Sequence, residues 1–298
     1  MKCNRRLFTQ STSVFIAHSG LISLMADESQ QIDKSKAMVQ FGLITDLHHA
    51  DKPAAGTRYY RETMNKFQEA AEKFKSHKPD FMVELGDLID AADSVETELK
   101  YLKQINRELE KTCPKRYYVM GNHCVDTLKK QEFLGQVGQQ KSYFSFDTAG
   151  WHFIILDACF RADETPYERK NFTWTDSNIP NHELDWLKND LAATKSNAIV
   201  FLHQRLDESG NHMVRNAAAV RRILEESGKI RAVFQGHSHQ NDIQQINNIP
   251  YLTMVAMIEG SGPENSGFSL VTIDQQNHIR VEGFRKQNDY RFHHKEKK

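Results

Sequence analysis

Short apolar runs and longer amphipathic stretches alternate along this chain. Residues 38–45, 80–85, 116–120, 197–202 and 230–235 are short and rich in branched or aromatic side chains, the composition of buried strands. Residues 57–75, 95–111, 181–193 and 213–226 carry apolar positions at mixed spacings of three and four, which predicts helices that cover a sheet. Residues 141–146, 151–157, 242–246, 251–255, 268–273 and 278–284 add further strand-like runs, several of them paired across short polar turns. That is an α/β pattern with too many strands for one small sheet.

The first five runs all stop at polar clusters: Asp46-Leu47-His48, Gly86-Asp87, Gly121-Asn122-His123, His203, and Gly236-His237-Ser238-His239. In an open α/β sheet, ligands bind in the crevice beyond the carboxyl ends of the strands, so five such endings can meet in one pocket. Gly86, Gly121 and Gly236 fall where the chain must turn sharply and let backbone approach an ion or a phosphate. Aspartate, histidine and one amide oxygen, without paired cysteines, suit Mn, Fe, Zn or Co better than an iron–sulfur cluster or a structural zinc. A carboxylate such as Asp87 can bridge two ions, and a pair roughly 3.5–4 Å apart can clamp a phosphoryl group while activating a water. His48 is the ligand of the first block, not His49, because one intervening residue lets Asp46 and His48 point the same way from an extended chain.

Taken in order, these blocks resemble the calcineurin-like metallophosphoesterases, whose pattern is D-x-H, GD-x-x-D, GNH-D/E, H and GH-x-H; the likeness spans residues 39–284. The resemblance implies a four-layer sandwich, two mixed β-sheets packed face to face and flanked by helices. It implies two metal ions, one held by Asp46, His48, Asp87 and His239, the other by Asp87, Asn122, His203 and His237. By the same resemblance His123 faces the substrate as transition-state stabiliser or general acid, a role that suits imidazole near neutral pH. Asp90, the last residue of Gly86-Asp87-Leu88-Ile89-Asp90, is expected to orient a ligand histidine from behind. Two positions depart from the pattern. Cys124 stands where the family usually has an acid, which removes a hydrogen bond expected to support His123. His203 is followed by Gln204-Arg205 instead of the commoner His-Pro; Arg205 either grips a substrate phosphate as a planar fork or is paired at the surface.

Composition adds that the chain is an ordinary globular one: 298 residues, 39% hydrophobic and 26% charged, are enough for one sizeable core. One catalytic domain is expected over residues 38–286, followed by a polar tail over 287–298. A formal net charge of zero leaves no electrostatic footprint for a nucleic-acid polymer, so the expected partner is a small phosphate ester. Its selection should lie in residues 49–60 and 160–181. There Arg58, Tyr59, Tyr167, Phe172 and Trp174 can grip a phosphate or stack a base, although loop aromatics more often anchor the loop. The resemblance favours a phosphodiesterase or pyrophosphatase acting on nucleotide-like molecules. A phosphomonoesterase and a metal-loaded binding protein without turnover are the alternatives.

At the start of the chain, Lys2, Arg5 and Arg6 precede a mildly apolar stretch over residues 14–26. This resembles a twin-arginine export leader over residues 1–26, cleaved after Ala26 and followed by a polar linker over 27–37. Export beyond the cytoplasm follows from that reading; a disordered arm retained on a cytoplasmic protein is the alternative. The stretch is too short to span a membrane, and its removal would leave 36 of the 39 basic residues against 39 acidic ones. Beyond Cys3, the cysteines Cys113, Cys124 and Cys159 are an odd set whose spacing suggests no disulfide framework. Buried free thiols are expected, with a Cys124–Cys159 contact left open.

Overall fold

Residue 41 shows in miniature how the sequence builds the molecule. In the computed structural model, which describes residues 37–293, Val39, Phe41 and Leu43 point to one face of the first strand and Ile44 to the other, as the two-residue period of a strand requires. The proposed leader, all but the last residue of the linker and residues 294–298 lie outside the described residues.

In chain order the first elements are β1 (Ala37–Ile44), α1 (Thr63–His77), β2 (Phe81–Glu84), α2 (Val95–Thr112), β3 (Arg116–Tyr118) and α3 (Lys130–Val137). Next come β4 (Phe144–Thr148), β5 (Trp151–Ile155), α4 (Asn181–Ala193), β6 (Ala198–Phe201), α5 (Ala217–Ser227) and β7 (Ile230–Gln235). The last are β8 (Asp242–Ile246), β9 (Ile249–Thr253), β10 (Gly267–Asp274), β11 (Ile279–Arg285) and β12 (Tyr290–Phe292). They form two six-stranded sheets, ordered β12-β11-β10-β1-β2-β3 and β4-β5-β6-β7-β9-β8. Both are mixed: β1, β2 and β3 run parallel in the first, as do β5, β6, β7 and β9 in the second, and antiparallel strands complete each sheet.

Between the sheets lies an aromatic core. Phe41 stacks on Phe81 at 5.1 Å and meets Phe153, Phe201 and Phe234 edge-on at 5.7, 5.6 and 6.1 Å. Truncating so central a ring to alanine would cost about 3–5 kcal/mol. The outer face of the first sheet, with Ile44, Met82 and Leu270, packs against Phe67, Phe74, Leu102, Ile105 and Phe133 of α1, α2 and α3. On the second sheet Ile154, Val200 and Val233 face Leu187, Leu191, Val220 and Leu224 of α4 and α5. The result is the four-layer αββα sandwich expected from the strand count and the resemblance. No helix among the described residues is long and apolar enough to cross a membrane.

Several boundaries moved for identifiable reasons. The helix expected over 57–75 begins only at Thr63, because Arg58 pairs with Ala55 and the Tyr59 amide donates to Ile258 O. Residues 213–216 do not open α5, since the Val214 amide donates to Arg205 O and Arg205 to His212 O. The short helix α3, with Phe133, Leu134 and Val137 buried, went unpredicted. The tail expected from residue 287 is also corrected: Tyr290–Phe292 pairs with β11 as an edge strand. Cys113, Cys124 and Cys159 are all buried free thiols.

Candidate metal centre

The strands β1, β2, β3, β6 and β7 deliver their last residues to one edge of the sandwich, and backbone pairing continues past them. The Asp46 amide donates to Gly86 O (3.0 Å), that of His48 to Asp87 O (2.8 Å), and that of Gly236 to His203 O (3.0 Å). Asp46, His48, Asp87, His237 and His239 all adopt left-handed φ, between 45° and 71°. Such residues are uncommon outside glycine and cluster where the surroundings hold strain for a purpose. Gly86 needs its lack of side chain: with φ at 105°, a Cβ there would come within 2.5 Å of the His203 ring. At Gly121 a Cβ would collide with the amide and carboxylate of Asp87.

This scaffold gathers two sets of side chains, Asp46, His48 and His239 in one, Asp87, His203 and His237 in the other. Asp87 Oδ2 lies between the sets, 3.1 Å from His203 Nε2 and 3.7 Å from His48 Nε2. Asp46 Oδ1 is 3.3 Å from His239 Nε2 and 3.7 Å from His48 Nε2. Each carboxylate has its second oxygen pinned. Asp46 Oδ2 accepts from Thr45 Oγ1 (2.6 Å) and the His237 amide (3.1 Å), and Asp87 Oδ1 accepts from the His123 amide (2.8 Å). Buried Asn122 follows from β3. Three atoms in this set are buried without a hydrogen-bond partner: Asp46 Oδ1, Asn122 Oδ1 and His237 Nε2. Leaving a buried polar atom unpaired costs about 1–3 kcal/mol, and cations ligated by carboxylate, amide oxygen and imidazole would satisfy all three. The donor set therefore fits divalent metal ions.

Burial opposes ionisation of Asp46 and Asp87, yet His203 and the other imidazoles hold both carboxyls well below their usual range. Burial likewise disfavours a charged His239, but Asp46 and Glu259 push it up to about 9. His237 goes the other way, lowered by burial and by His203. Protonated imidazoles must give up that proton to ligate.

Behind the candidate ligands stand groups that could aim them, because a ligating imidazole needs its second nitrogen fixed. His48 Nδ1 meets Asp90 Oδ2 at 3.1 Å, and Asp90 Oδ1 accepts from Lys52 Nζ at 2.5 Å. His203 Nδ1 donates to Leu85 O (2.9 Å), and His239 Nδ1 meets Glu259 Oε1 at 2.6 Å. Glu259 is placed by pairing of its segment with the end of β1, Met257 to Thr45 O and Ile258 to Asp46 O, both 3.1 Å. The fully buried Lys66 clamps the same segment, donating to the carbonyls of Ile258, Glu259 and Gly260 at 3.2, 2.8 and 2.6 Å.

His123 sits beside this centre, its ring 4.7 Å from that of His48 and partly exposed. Burial would lower its pKa, but Asp87, Asp126 and Asp90 raise it to about 9. Here one expectation is corrected. Cys124 does not attend His123; it is fully buried in the core with Leu88, Val125 and Leu128. The missing acid is supplied by Asp126, whose Oδ2 lies 2.6 Å from His123 Nδ1. Arg205 is the second correction. Its guanidinium is 3% exposed and faces inward, to Asp207 at 2.9 and 3.0 Å and Asp242 at 2.5 Å, so neither a phosphate fork nor a surface pair describes it. His49 points away from the centre, 6.1 Å from the Tyr101 ring.

A cavity of about 140 Å³ opens over the centre, lined by Asp87, Asn122, His123, His237 and His239 with Arg58 and Trp174 at its mouth. It shares Arg58, His212, His237 and His239 with a wider groove of about 410 Å³ that reaches Thr57 and Gln240. In the segment before α4, Tyr167 and Phe172 stack at 4.1 Å and anchor the loop, whereas Trp174 and the unforeseen His212 stand at the opening. Asp126 had a legible signal, because residues i and i+3 eclipse in the 3-10 turn Asn122–Val125 that begins at the motif. Glu259 and Lys66 had none, being joined to the site only through distant pairing.

The model of the calcineurin-like phosphoesterase family matches residues 39–241. A manganese-dependent ADP-ribose/CDP-alcohol diphosphatase of Oryza sativa subsp. japonica is 23% identical over 250 residues, covering 68% of this chain and 78% of the relative. The serine/threonine-protein phosphatase CPPED1 of Mus musculus is 25% identical over 256 residues, covering 80% and 78%. Among solved structures, a dimetal phosphatase from Danio rerio superposes with a TM-score of 0.75 at 17% identity, over 86% of this chain and 98% of that one. With a family model that covers strands β1 to β7, drawn from both sheets, and every block of the centre, the chain belongs to the calcineurin-like phosphoesterases.

Proposed function

We propose that this protein hydrolyses phosphodiester or diphosphate bonds in small nucleotide-like molecules, using two divalent ions of the manganese type. The observation that carries the reading is the trio of buried, unpartnered atoms, Asp46 Oδ1, Asn122 Oδ1 and His237 Nε2, among the side chains gathered around Asp87. Asp46, His48, Asp87 and His239 would hold one ion, and Asp87, Asn122, His203 and His237 the other. When bound, such a pair polarises a phosphoryl oxygen and provides hydroxide near neutral pH. His123 supplies the proton for the leaving oxygen: Asp126 occupies its Nδ1, which leaves Nε2 as the nitrogen free to give one. Arg58, partly exposed at the mouth and 3.8 Å from Asp90, would offset the charge of a second phosphate. Manganese and a diphosphate substrate are supported by the name of the rice relative.

The name of the mouse relative favours a second reading, a phosphomonoesterase. Assay of the Mn-loaded protein against ADP-ribose, bis(p-nitrophenyl) phosphate and p-nitrophenyl phosphate separates the two. Turnover of the first two supports the proposal, and turnover of the last alone supports the monoesterase. Two bound ions with no turnover of any would leave a binding protein. The Arg5-Arg6 pair and the apolar stretch after it support export by the twin-arginine route, which the mass of the protein recovered from a periplasmic fraction tests.

A further inference from the structure

Among the described residues only two large hydrophobic side chains are exposed, Met38 at 39% in the first strand and Trp174 at 40%. The indole is not needed to hold its loop. Tyr167 is fully buried against Phe172 and donates to Thr173 O at 3.2 Å, just before Trp174. Just after it, Asp176 accepts from Arg215 at 2.9 Å and Ser177 O accepts the Arg215 amide at 2.8 Å. The loop is thus tied on both sides of a tryptophan that remains 40% exposed. The indole lines the metal cavity, its ring centroid 5.4 Å from that of His212 and 5.6 Å from that of His237.

We infer that Trp174, walled by His212, is the platform on which an aromatic base of the substrate stacks while its phosphate lies over Asp87 and His237. Resting on the hydrolytic reading above, this names the recognised class as molecules carrying a nucleobase. An exposed tryptophan offers a large rigid π-face at little entropic cost, and stacking on it tolerates any base. Specificity at this position is therefore for an aromatic ring and not for a particular base edge.

The test compares AMP with ribose 5-phosphate as competitive inhibitors of bis(p-nitrophenyl) phosphate hydrolysis by the Mn-loaded protein. The two ligands share the ribose 5-phosphate unit and differ at the anomeric carbon, where AMP carries the base and ribose 5-phosphate a hydroxyl. Wild type is expected to favour AMP by about ten-fold, within the range for base–aromatic stacking. Trp174→Ala should bring the ratio close to one with the ribose 5-phosphate constant unchanged, and Trp174→Phe should keep most of the preference. A wild type without base preference, or an unchanged ratio in Trp174→Ala, overturns the inference. Binding without turnover gives a separate readout. AMP should quench tryptophan fluorescence in the wild type and not in Trp174→Phe, whose remaining Trp151 is buried and Trp186 lies on α4. Absence of hydrolysis would bring down the proposed function alone, whereas absence of quenching brings down the platform.

Discussion

Replacing Asp126 tests whether His123 works through a carboxylate that the motif itself lacks. The contact is short, 2.6 Å, between side chains 24% and 19% exposed. The two atoms meet off the line of a directed hydrogen bond, so the contact is an ion pair. A well-aligned hydrogen bond to a charged group contributes about 1.5–3 kcal/mol, and a misaligned, partly solvated pair lies at the bottom of that range. Lost in the transition state, about 1.5 kcal/mol is roughly a ten-fold fall in rate. Proton donation matters most when the leaving oxygen is basic. Asp126→Ala should therefore lose roughly ten-fold on an alkyl diester such as 3′,5′-cyclic AMP and much less on bis(p-nitrophenyl) phosphate, whose leaving group needs little protonation. Asp126→Asn should fall between, both variants should keep wild-type metal content by elemental analysis, and Asp126→Ala should add little in a His123→Ala background. Equal losses on both substrates, or loss of metal, would refute the reasoning by showing that Asp126 supports the ions or the fold.

Three further outcomes follow from the same geometry. Asp87→Asn should lower both metal occupancy and hydrolysis, and a variant retaining two ions at full activity would sink the bridging assignment. Lys66→Met should leave three carbonyls without their charged donor; at about 1 kcal/mol each this is roughly 3 kcal/mol, read as a lowered denaturation midpoint together with weaker metal retention through Glu259. His152 lies at the start of β5, far along the strand from the centre, and bonds Asp190 and Asp147 at 2.8 Å each. The Asp190 bond raises its pKa against burial, with Asp147 adding to it. Its contribution is thus complete below the ordinary histidine value near 6.5 and is lost as pH rises through the raised folded value. The stability gap between wild type and His152→Gln should accordingly shrink from pH 6 toward pH 9, and a gap that widens over that interval would show the sign to be wrong.

What could be read along the chain was whatever depends on local residue type. The strand endings were legible because buried branched runs precede all five, and left-handed or glycine residues follow β1, β2, β3 and β7; after β6 only His203 marks the end. The helix starts at Val95 and Asn181 were legible too, but those expected at 57 and 213 were not, since these segments have helical spacing yet are captured by backbone partners outside them, Ile258 and Arg205. Arg205 misled for a related reason. Beside His203 in sequence it looked available to substrate, yet Asp207 two residues on and Asp242 on β8 enclose its fork. Glu259 was invisible because its link to His239 depends on the register between the 256–260 segment and β1.

Cys124 illustrates the physical limit of reading a motif by position. What the chemistry requires is a carboxylate against one nitrogen of His123, not an acid in the next slot of the sequence. In a 3-10 turn successive side chains step by about 120°, so the residue after His123 faces elsewhere and the one three places on eclipses it. Here the neighbouring slot turns into the core among α2 and α3, where a thiol packs as a small apolar group and an ionised acid would be buried without a partner. Asp126 occupies the eclipsed position and reaches the ring. Asp90, which also lies 3.7 Å from His123, is left to His48 and Lys52. Two carboxylates thereby aim two histidines separately, so a change at Asp126 should move proton donation without moving the ligand His48.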